Sequence, residues 1–183
     1  MNILATKLPG VVVVETEKVV DHRGAFARLF CASELSAVVG ARLILQINHS
    51  HNSMVGTVRG LHFQRPPHAE MKLLRCLHGR VFDVAADLRT NSPTFLQWYA
   101  EELTPGNARM LVIPEGFAHG FQILEADSEL LYLHTAYHAP EAEAGVRFDD
   151  SRIGIAWPLP ATELSKRDRS FPLLASDFRG IVV

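Results

Sequence analysis

The chain has 183 residues, of which 48% are hydrophobic and 21% charged, a composition typical of one globular domain with a sizeable core. Its formal net charge of −2 excludes the basic surface of a general nucleic-acid-binding protein, but it allows a local site for a small phosphorylated ligand. No apolar stretch has the length of a membrane span and the first residues lack a signal-peptide pattern, so we expect a soluble cytoplasmic protein with no membrane partner.

The N-terminal part of the chain predicts a strand, a turn and a short helix. Residues 11–14 form an apolar, β-branched run after a Pro-Gly turn signal, and this run predicts a strand. The sequence Asp21-His22-Arg23-Gly24 predicts a turn. Residues 33–39 predict a helix, because Ser33 can cap its start and Gly40 can end it.

From residue 42 onward the chain is a series of short apolar segments separated by Gly, Pro, Asn or Asp. The predicted strands cover residues 43–48, 73–77, 80–85, 96–103, 109–113, 120–124 and 129–135. Short strands at this spacing are typical of an all-β sandwich or jelly roll. Residues 162–169, in the tail, predict one or two helical turns. Nothing marks a linker, so the prediction is one domain over residues 1–183.

The segment Val58-Arg59-Gly60-Leu61-His62-Phe63-Gln64 combines a candidate base with candidate anion binders. Histidine is the side chain best able to take a proton near neutral pH, while Arg59 and Lys72 can hold a phosphate or an enolate oxygen. Strand alternation would place Arg59 and His62 on opposite faces unless a bulge or bend re-aims one of them. Together these residues suggest proton abstraction from an anionic substrate.

The turn Pro114-Glu115-Gly116-Phe117-Ala118-His119 places a histidine at the start of a strand, and it resembles the second sequence motif of the cupins. In metal-binding cupins that histidine is a ligand, together with a His-x-His pair and a glutamate from an earlier segment. Here the earlier segment offers His62, His68 and Glu70 but no His-x-His pair. Because histidine and carboxylate sites usually need at least three protein ligands, we expect no bound metal.

Nearly the whole chain resembles one cupin family, the dTDP-4-dehydrorhamnose 3,5-epimerases of deoxysugar biosynthesis. The segments that carry the resemblance are residues 21–26, 46–50, 59–64, 82–89, 113–121, 139–143 and 154–158. The resemblance implies a cupin double-stranded β-helix, or jelly roll, with short peripheral helices and no cofactor. It also implies a homodimer that exchanges N-terminal strands from about residues 1–40, and a C-terminal tail of about residues 158–183.

The resemblance further implies inversion of C3, C5 or both in a dTDP-4-keto-6-deoxyhexose through an enolate. The C4 ketone acidifies the neighbouring protons, so the reaction needs a base on one face, an acid on the other and a positive charge near the oxygen. By family position His62 is the base and Asp168 the carboxylate that orients it. Tyr132 is the acid, and Lys72 is the cation beside the enolate.

Other family positions contact the nucleotide diphosphate-sugar substrate, and in this chain they are Arg23, Arg59 and His119, with Gln46, Asn48 and Glu143 as further polar contacts. Three positions depart from the family pattern. Arg28 replaces a usual glutamate near the nucleotide, His138 replaces a tyrosine that usually lines the site, and Leu133 replaces a commonly basic residue. We expect Arg28 and His138 to belong to the substrate site and to change base recognition. The exact sugar, the base and the number of inverted centres stay open.

Two alternatives also stay open. The first is a metal-dependent cupin, such as a dioxygenase or isomerase that uses His62, His68, Glu70 and His119; elemental analysis would distinguish it. The second is a non-catalytic module that binds sugar nucleotides, for which the complete catalytic set would be superfluous.

Some polar residues have no family role or a competing one. Asp83 lies on an apolar strand and competes with Asp168 as the carboxylate behind a histidine. The histidines without a matched role, which we expect to be solvated or structural, are His49, His51, His78 and His134. Cys31 and Cys76 lack zinc-ligand spacing, and we expect both to be reduced thiols.

Overall fold

The computed structural model describes residues 1–183 and contains two antiparallel β-sheets and a separate hairpin. The strands are β1 (Asn2–Ala5), β2 (Val12–Glu15), β3 (Lys18–Asp21), β4 (Gly24–Ala27), β5 (Gln46–Asn52), β6 (Val58–Gln64), β7 (Lys72–His78), β8 (Val81–Asp87), β9 (Trp98–Leu103), β10 (Arg109–Ile113), β11 (Phe117–Ile123), β12 (Ser128–His134) and β13 (Glu143–Gly145). The helices are α1 (Ser36–Val39) and α2 (Lys166–Ser170). Neither helix has the length and apolar character needed to cross a membrane.

The strand order confirms the predicted jelly roll. One sheet has six strands in the order β1-β2-β10-β7-β12-β5, and the other has five in the order β13-β6-β11-β8-β9. Strands β3 and β4 pair only with each other, as the hairpin around the predicted turn at residues 21–24. Consecutive strands therefore often lie in different sheets, which brings side chains that are distant in sequence to the space between them.

Alternating apolar residues fill the space between the sheets. Leu74 and Leu111 project from the six-stranded sheet, and Ala85 and Phe121 from the five-stranded sheet, into one buried cluster. Each large side chain of this kind contributes about 1.5–3 kcal/mol when it is fully buried. Two further clusters cover the outer faces of the sheets. This core holds the two sheets in place, and residues of both sheets line the polar cavity.

Two predicted elements begin later than expected, although the strand then extends to Asn52. The predicted strand at residues 43–48 begins only at Gln46, because β12 ends at His134 and leaves the preceding residues without a strand partner. The predicted helix at residues 33–39 is reduced to Ser36–Val39, since no side chain caps its start. Gly40 ends it, as predicted. Strands β1, β3, β4 and β13 were not predicted, and each has only three or four residues.

A bulge between β6 and β11 resolves the conflict over Arg59 and His62. His119 pairs with His62 and Phe121 with Arg59, so β6 carries one extra residue between these pairs. Gly60 takes up this distortion with φ 118°, and a Cβ there would lie 2.5 Å from the Cα of Gly120. The bulge allows both Arg59 and His62 to line the same cavity.

Candidate active site

A cavity of about 310 Å³ opens between the two sheets. Only three of its 17 lining residues are hydrophobic. They are Gln46, Asn48, His49, Ser50, Arg59, His62, Phe63, Gln64, Glu70, Lys72, His119, Phe121, Tyr132, His134, His138, Glu143 and Arg167. A cavity of this size and polarity fits part of a charged, hydroxyl-rich ligand better than an apolar one.

His62 on β6 is oriented by Asp168 on α2. The two are 106 positions apart in sequence, and His62 Nε2 donates a hydrogen bond of 2.6 Å to Asp168 Oδ1. Ser165 caps α2 by accepting from the Asp168 backbone N–H, which fixes the position of the carboxylate. Burial opposes ionisation of Asp168, but hydrogen bonds from His62 and the Gly60 backbone outweigh it and lower the pKa of Asp168. The carboxylate thus holds the Nε2 proton and leaves Nδ1 of His62 as the free base.

Tyr132 lines the cavity from β12, in the sheet opposite His62. Its ring packs edge-on against His119, with centroids 6.1 Å apart, and parallel to His134, with centroids 6.0 Å apart. Burial, and the nearby Asp83 carboxylate, raise the pKa of Tyr132. The phenol therefore keeps its proton at neutral pH and can deliver it only to a strong base such as a carbanion.

Lys72 on β7 presents a mostly buried ammonium group to the cavity. Its Nζ lies 3.3 Å from Glu70 Oε1 and donates to the backbone oxygen of His62 at 3.4 Å. Burial opposes ionisation of Glu70, but the hydrogen bond from His134 and the charge of Lys72 outweigh it and lower the pKa of Glu70. Lys72 is thus held next to His62 by an ionised carboxylate.

Two arginines add positive charge to the walls. Arg59 is held by its Nε, which donates to Asn52 Oδ1 at 2.7 Å. Arg167 donates to Glu143 Oε2 at 2.6 Å, and its Nη2 lies 3.3 Å from His62 Nε2. Arginine binds phosphate oxygens in a bidentate manner, so these side chains suit a diphosphate.

His119 and Asp83 form a second, fully buried pair with a hydrogen bond of 2.7 Å. Burial raises the pKa of Asp83 and lowers the pKa of His119, so the environment disfavours both charges. Asp83 is therefore the partner of His119, whereas Asp168 is the partner of His62. Each of the two candidate carboxylates therefore has its own histidine partner.

The predicted polar contacts Gln46, Asn48, His138 and Glu143 also line the cavity. Gln46 Nε2 donates to Asn48 Oδ1 at 3.1 Å, and the His138 backbone N–H donates to Gln46 Oε1 at 3.1 Å. Alternation along β5 accounts for the shared face of Gln46 and Asn48.

Arg23 and Arg28, both predicted to contact substrate, do not line the cavity of their own chain. Arg23 lies on the β3–β4 hairpin, bonded to Asp21, and its side chain is 78% exposed. Arg28 forms a surface ion pair with Glu34. Leu133, the third departure from the family pattern, faces away from the cavity and is buried in the core, so it affects packing.

The predicted site residues omit eight of the 17 lining residues, and the titratable ones among the eight are His49, Glu70, His134 and Arg167. His134 was given no role, although its separation by two residues from Tyr132 on a strand indicated the same face. Arg167, the residue before Asp168, lines the cavity and had no predicted role. Glu70 was considered only as a metal ligand. It accepts a hydrogen bond of 2.8 Å from His134 Nδ1 instead.

The residues of the metal-dependent alternative do not form a ligand set, although His62, Glu70 and His119 line the same cavity. His62 and His119 are bonded to separate carboxylates, and His68 lies on the surface near Glu141. No group of three or more His, Cys, Asp or Glu side chains is arranged to hold a metal ion.

Comparison with known proteins gives consistent matches over most of the chain. A family model described as dTDP-4-dehydrorhamnose 3,5-epimerase matches residues 5–176. The enzyme of that name from Salmonella typhimurium is 43% identical over 176 residues, which cover 95% of this chain and 96% of the relative.

Solved structures of enzymes with the same activity match the fold. The epimerase from Legionella pneumophila, solved with dTDP-4-keto-L-rhamnose, has a TM-score of 0.88 and 38% identity, covering 93% of this chain and 90% of its own. The enzyme from Bacillus anthracis, solved with TDP and PPi bound, has a TM-score of 0.91 and 35% identity, covering 94% and 99%.

Proposed function

The chain belongs to the dTDP-4-dehydrorhamnose 3,5-epimerase family, and from that premise we infer that its cavity inverts C3, C5 or both of a dTDP-4-keto-6-deoxyhexose. It is an isomerase of deoxysugar biosynthesis, of the rhamnose type. The relatives do not favour a metal-dependent cupin or a non-catalytic module. One observation carries the assignment of roles: His62 and Tyr132 line one cavity from opposite sheets.

In this mechanism Nδ1 of His62 takes the proton from a carbon next to the C4 ketone. The electron pair of that C–H bond forms a double bond from this carbon to C4. The π pair of the C4 ketone moves onto its oxygen, which becomes an enolate oxygen. Lys72 stabilises this negative charge, and Asp168 stabilises the imidazolium. The phenol of Tyr132 then donates a proton to the opposite face of the same carbon, so that its configuration is inverted.

Deuterium exchange into the substrate tests this function. With dTDP-4-keto-6-deoxyglucose in deuterated water, proton magnetic resonance is expected to report deuterium at C3, at C5 or at both, which also identifies the inverted centres. Absence of exchange at both carbons would contradict the proposal.

The same assay tests dependence on a metal. Exhaustive chelation is expected to leave the exchange rate unchanged, because the candidate ligands are bonded to other partners and Lys72 is placed to hold the enolate. Loss of exchange with EDTA, followed by recovery with a divalent ion, would favour the metal-dependent alternative.

We also propose a homodimer in which the β3–β4 hairpin packs on a second copy and carries Arg23 into the partner's cavity. The hairpin pairs with no other strand, and its apolar residues Val19, Val20 and Phe26 are 67%, 71% and 73% exposed. An apolar hairpin without a core of its own requires a covering surface. A cytoplasmic location is proposed as well, since neither cysteine forms a disulfide.

The dimer can be tested by charge substitution and by mixing variants. Val20→Asp is expected to yield monomers in analytical ultracentrifugation, whereas Val182→Asp at the exposed C-terminus leaves the mass unchanged. Arg23→Ala and His62→Asn protein are each expected to be nearly inactive. If Arg23 acts across the dimer, unfolding and refolding them together restores about a quarter of the wild-type activity, because one site in each mixed dimer is intact. A monomeric wild type, or no recovery on mixing, would contradict this arrangement.

A further inference from the structure

A single chain of hydrogen bonds links the amides of β5 to the lysine of the site, and His134 is at its centre. The His138 backbone N–H bonds to Gln46 Oε1 at 3.1 Å, and Gln46 Nε2 bonds to Asn48 Oδ1 at 3.1 Å. Asn48 Nδ2 lies 3.4 Å from His134 Nε2, and His134 Nδ1 lies 2.8 Å from Glu70 Oε2.

The two ends of the chain determine the direction of every bond in it. A backbone N–H can only donate, so Gln46 must present its oxygen to His138 and its amide N–H to Asn48. Asn48 must then present its own N–H to His134, whose Nε2 has to accept. At the other end an ionised carboxylate can only accept, so Nδ1 of His134 has to donate to Glu70. One form of the imidazole satisfies both ends: the neutral ring with its proton on Nδ1.

We propose that His134 is a positioning residue of the epimerisation reaction, which in its neutral Nδ1–H form fixes the amide orientations of Asn48 and Gln46 and holds Glu70 against Lys72. This inference rests on the proposed function, because it takes the two amides as ligand contacts and Lys72 as the cation at the enolate. His134 acts through these neighbours and contacts no reacting atom itself.

The two ring nitrogens have different kinetic roles. Nε2 orients amides that contact the substrate as strongly in the ground state as in the transition state, so its loss weakens binding and raises KM. Nδ1 holds Glu70, and through it Lys72, whose charge interacts most strongly with the enolate that forms during the reaction. Its loss therefore lowers kcat.

Two substitutions separate these roles. The terminal amide of an asparagine occupies about the position of Nδ1, and that of a glutamine about the position of Nε2. His134→Asn therefore keeps the donor to Glu70 and loses the acceptor for Asn48. His134→Gln keeps the acceptor for Asn48 and loses the donor to Glu70.

We expect His134→Asn to raise KM about fivefold with little change in kcat, since one neutral hydrogen bond is lost. We expect His134→Gln to lower kcat about tenfold or more with little change in KM, because the lost bond is to an ionised carboxylate. His51→Asn, at an exposed histidine on β5 outside the cavity, is the matched control and should leave both constants unchanged. Equal effects of both His134 substitutions on kcat and KM, or no effect, would reduce His134 to a packing residue.

The tautomer can be measured independently of turnover. In protein labelled with ¹⁵N-histidine, the His134 ring should carry its proton on Nδ1, and its Nε2 should carry none. A proton on Nε2 would contradict the hydrogen-bond chain whatever reaction the enzyme catalyses. Absence of epimerisation together with the expected tautomer would contradict the proposed function alone.

Discussion

Replacing His62 by asparagine is expected to abolish deuterium exchange at every exchangeable sugar carbon. A general base typically contributes about 10²–10⁴-fold to the rate. His62 combines a free ring nitrogen with a second nitrogen bonded to the buried Asp168 carboxylate, whose pKa is lowered. His119 is bonded to Asp83 in a fully buried pair, which makes it a poor substitute. The measurement is the exchange rate at C3 and C5 by proton magnetic resonance.

Binding of the nucleotide is the internal control for this variant. Because the proposed role of His62 concerns the sugar, the dissociation constant for dTDP should change little, and calorimetry can measure it. His68→Asn, at a surface histidine near Glu141, is the matched substitution and should retain wild-type exchange. Wild-type exchange rates in His62→Asn protein would remove His62 from the mechanism.

The sequence was sufficient to predict the architecture because the relevant signals are local. Alternating apolar residues and turn residues identify strands such as β7 and β10, and their number and spacing indicate a jelly roll. The prediction was wrong where an element depends on a distant partner. The strand predicted at residues 43–48 starts late because β12 ends at His134.

The sequence could predict several residues of the site, but not which of their side chains bond to one another. The segment around His62 indicated a base, whereas its carboxylate lies 106 positions away, and only the family resemblance placed Asp168 there. Similarly, alternation on β12 could place His134 beside Tyr132, but Glu70, its partner, is 64 positions away in sequence. The bulge that brings Arg59 into the cavity depends on the close approach of two strands, which no local pattern contains.

The single chain also does not bring Arg23 and Arg28 to the cavity, where both were predicted to contact substrate. Both side chains are exposed in the single chain, and the β3–β4 hairpin near them pairs with no other strand of that chain. Their contact with substrate stays a prediction, and the mixing experiment above tests the role of Arg23 in the proposed dimer.

Replacing Tyr132 by phenylalanine is expected to separate proton removal from inversion. Phenylalanine keeps the ring that packs between His119 and His134, so the cavity should retain its shape, but it cannot donate a proton. His62 can still form the enolate, and its partly exposed ring can exchange the proton with solvent and return deuterium to the original face. We therefore expect deuterium exchange to persist while formation of inverted product falls about 10²-fold or more.

Both quantities can be measured in one sample, since proton magnetic resonance reports exchange and the ring coupling constants report configuration. Tyr137→Phe is the matched control, because Tyr137 is exposed and outside the cavity, and it should change neither quantity. Equal loss of exchange and inversion in Tyr132→Phe protein would mean that the phenol shapes the pocket without acting as the acid. Persistent exchange without inversion requires the base and the acid to be different groups on opposite faces of the sugar, and His62 and Tyr132 line the cavity from opposite sheets, as this mechanism needs.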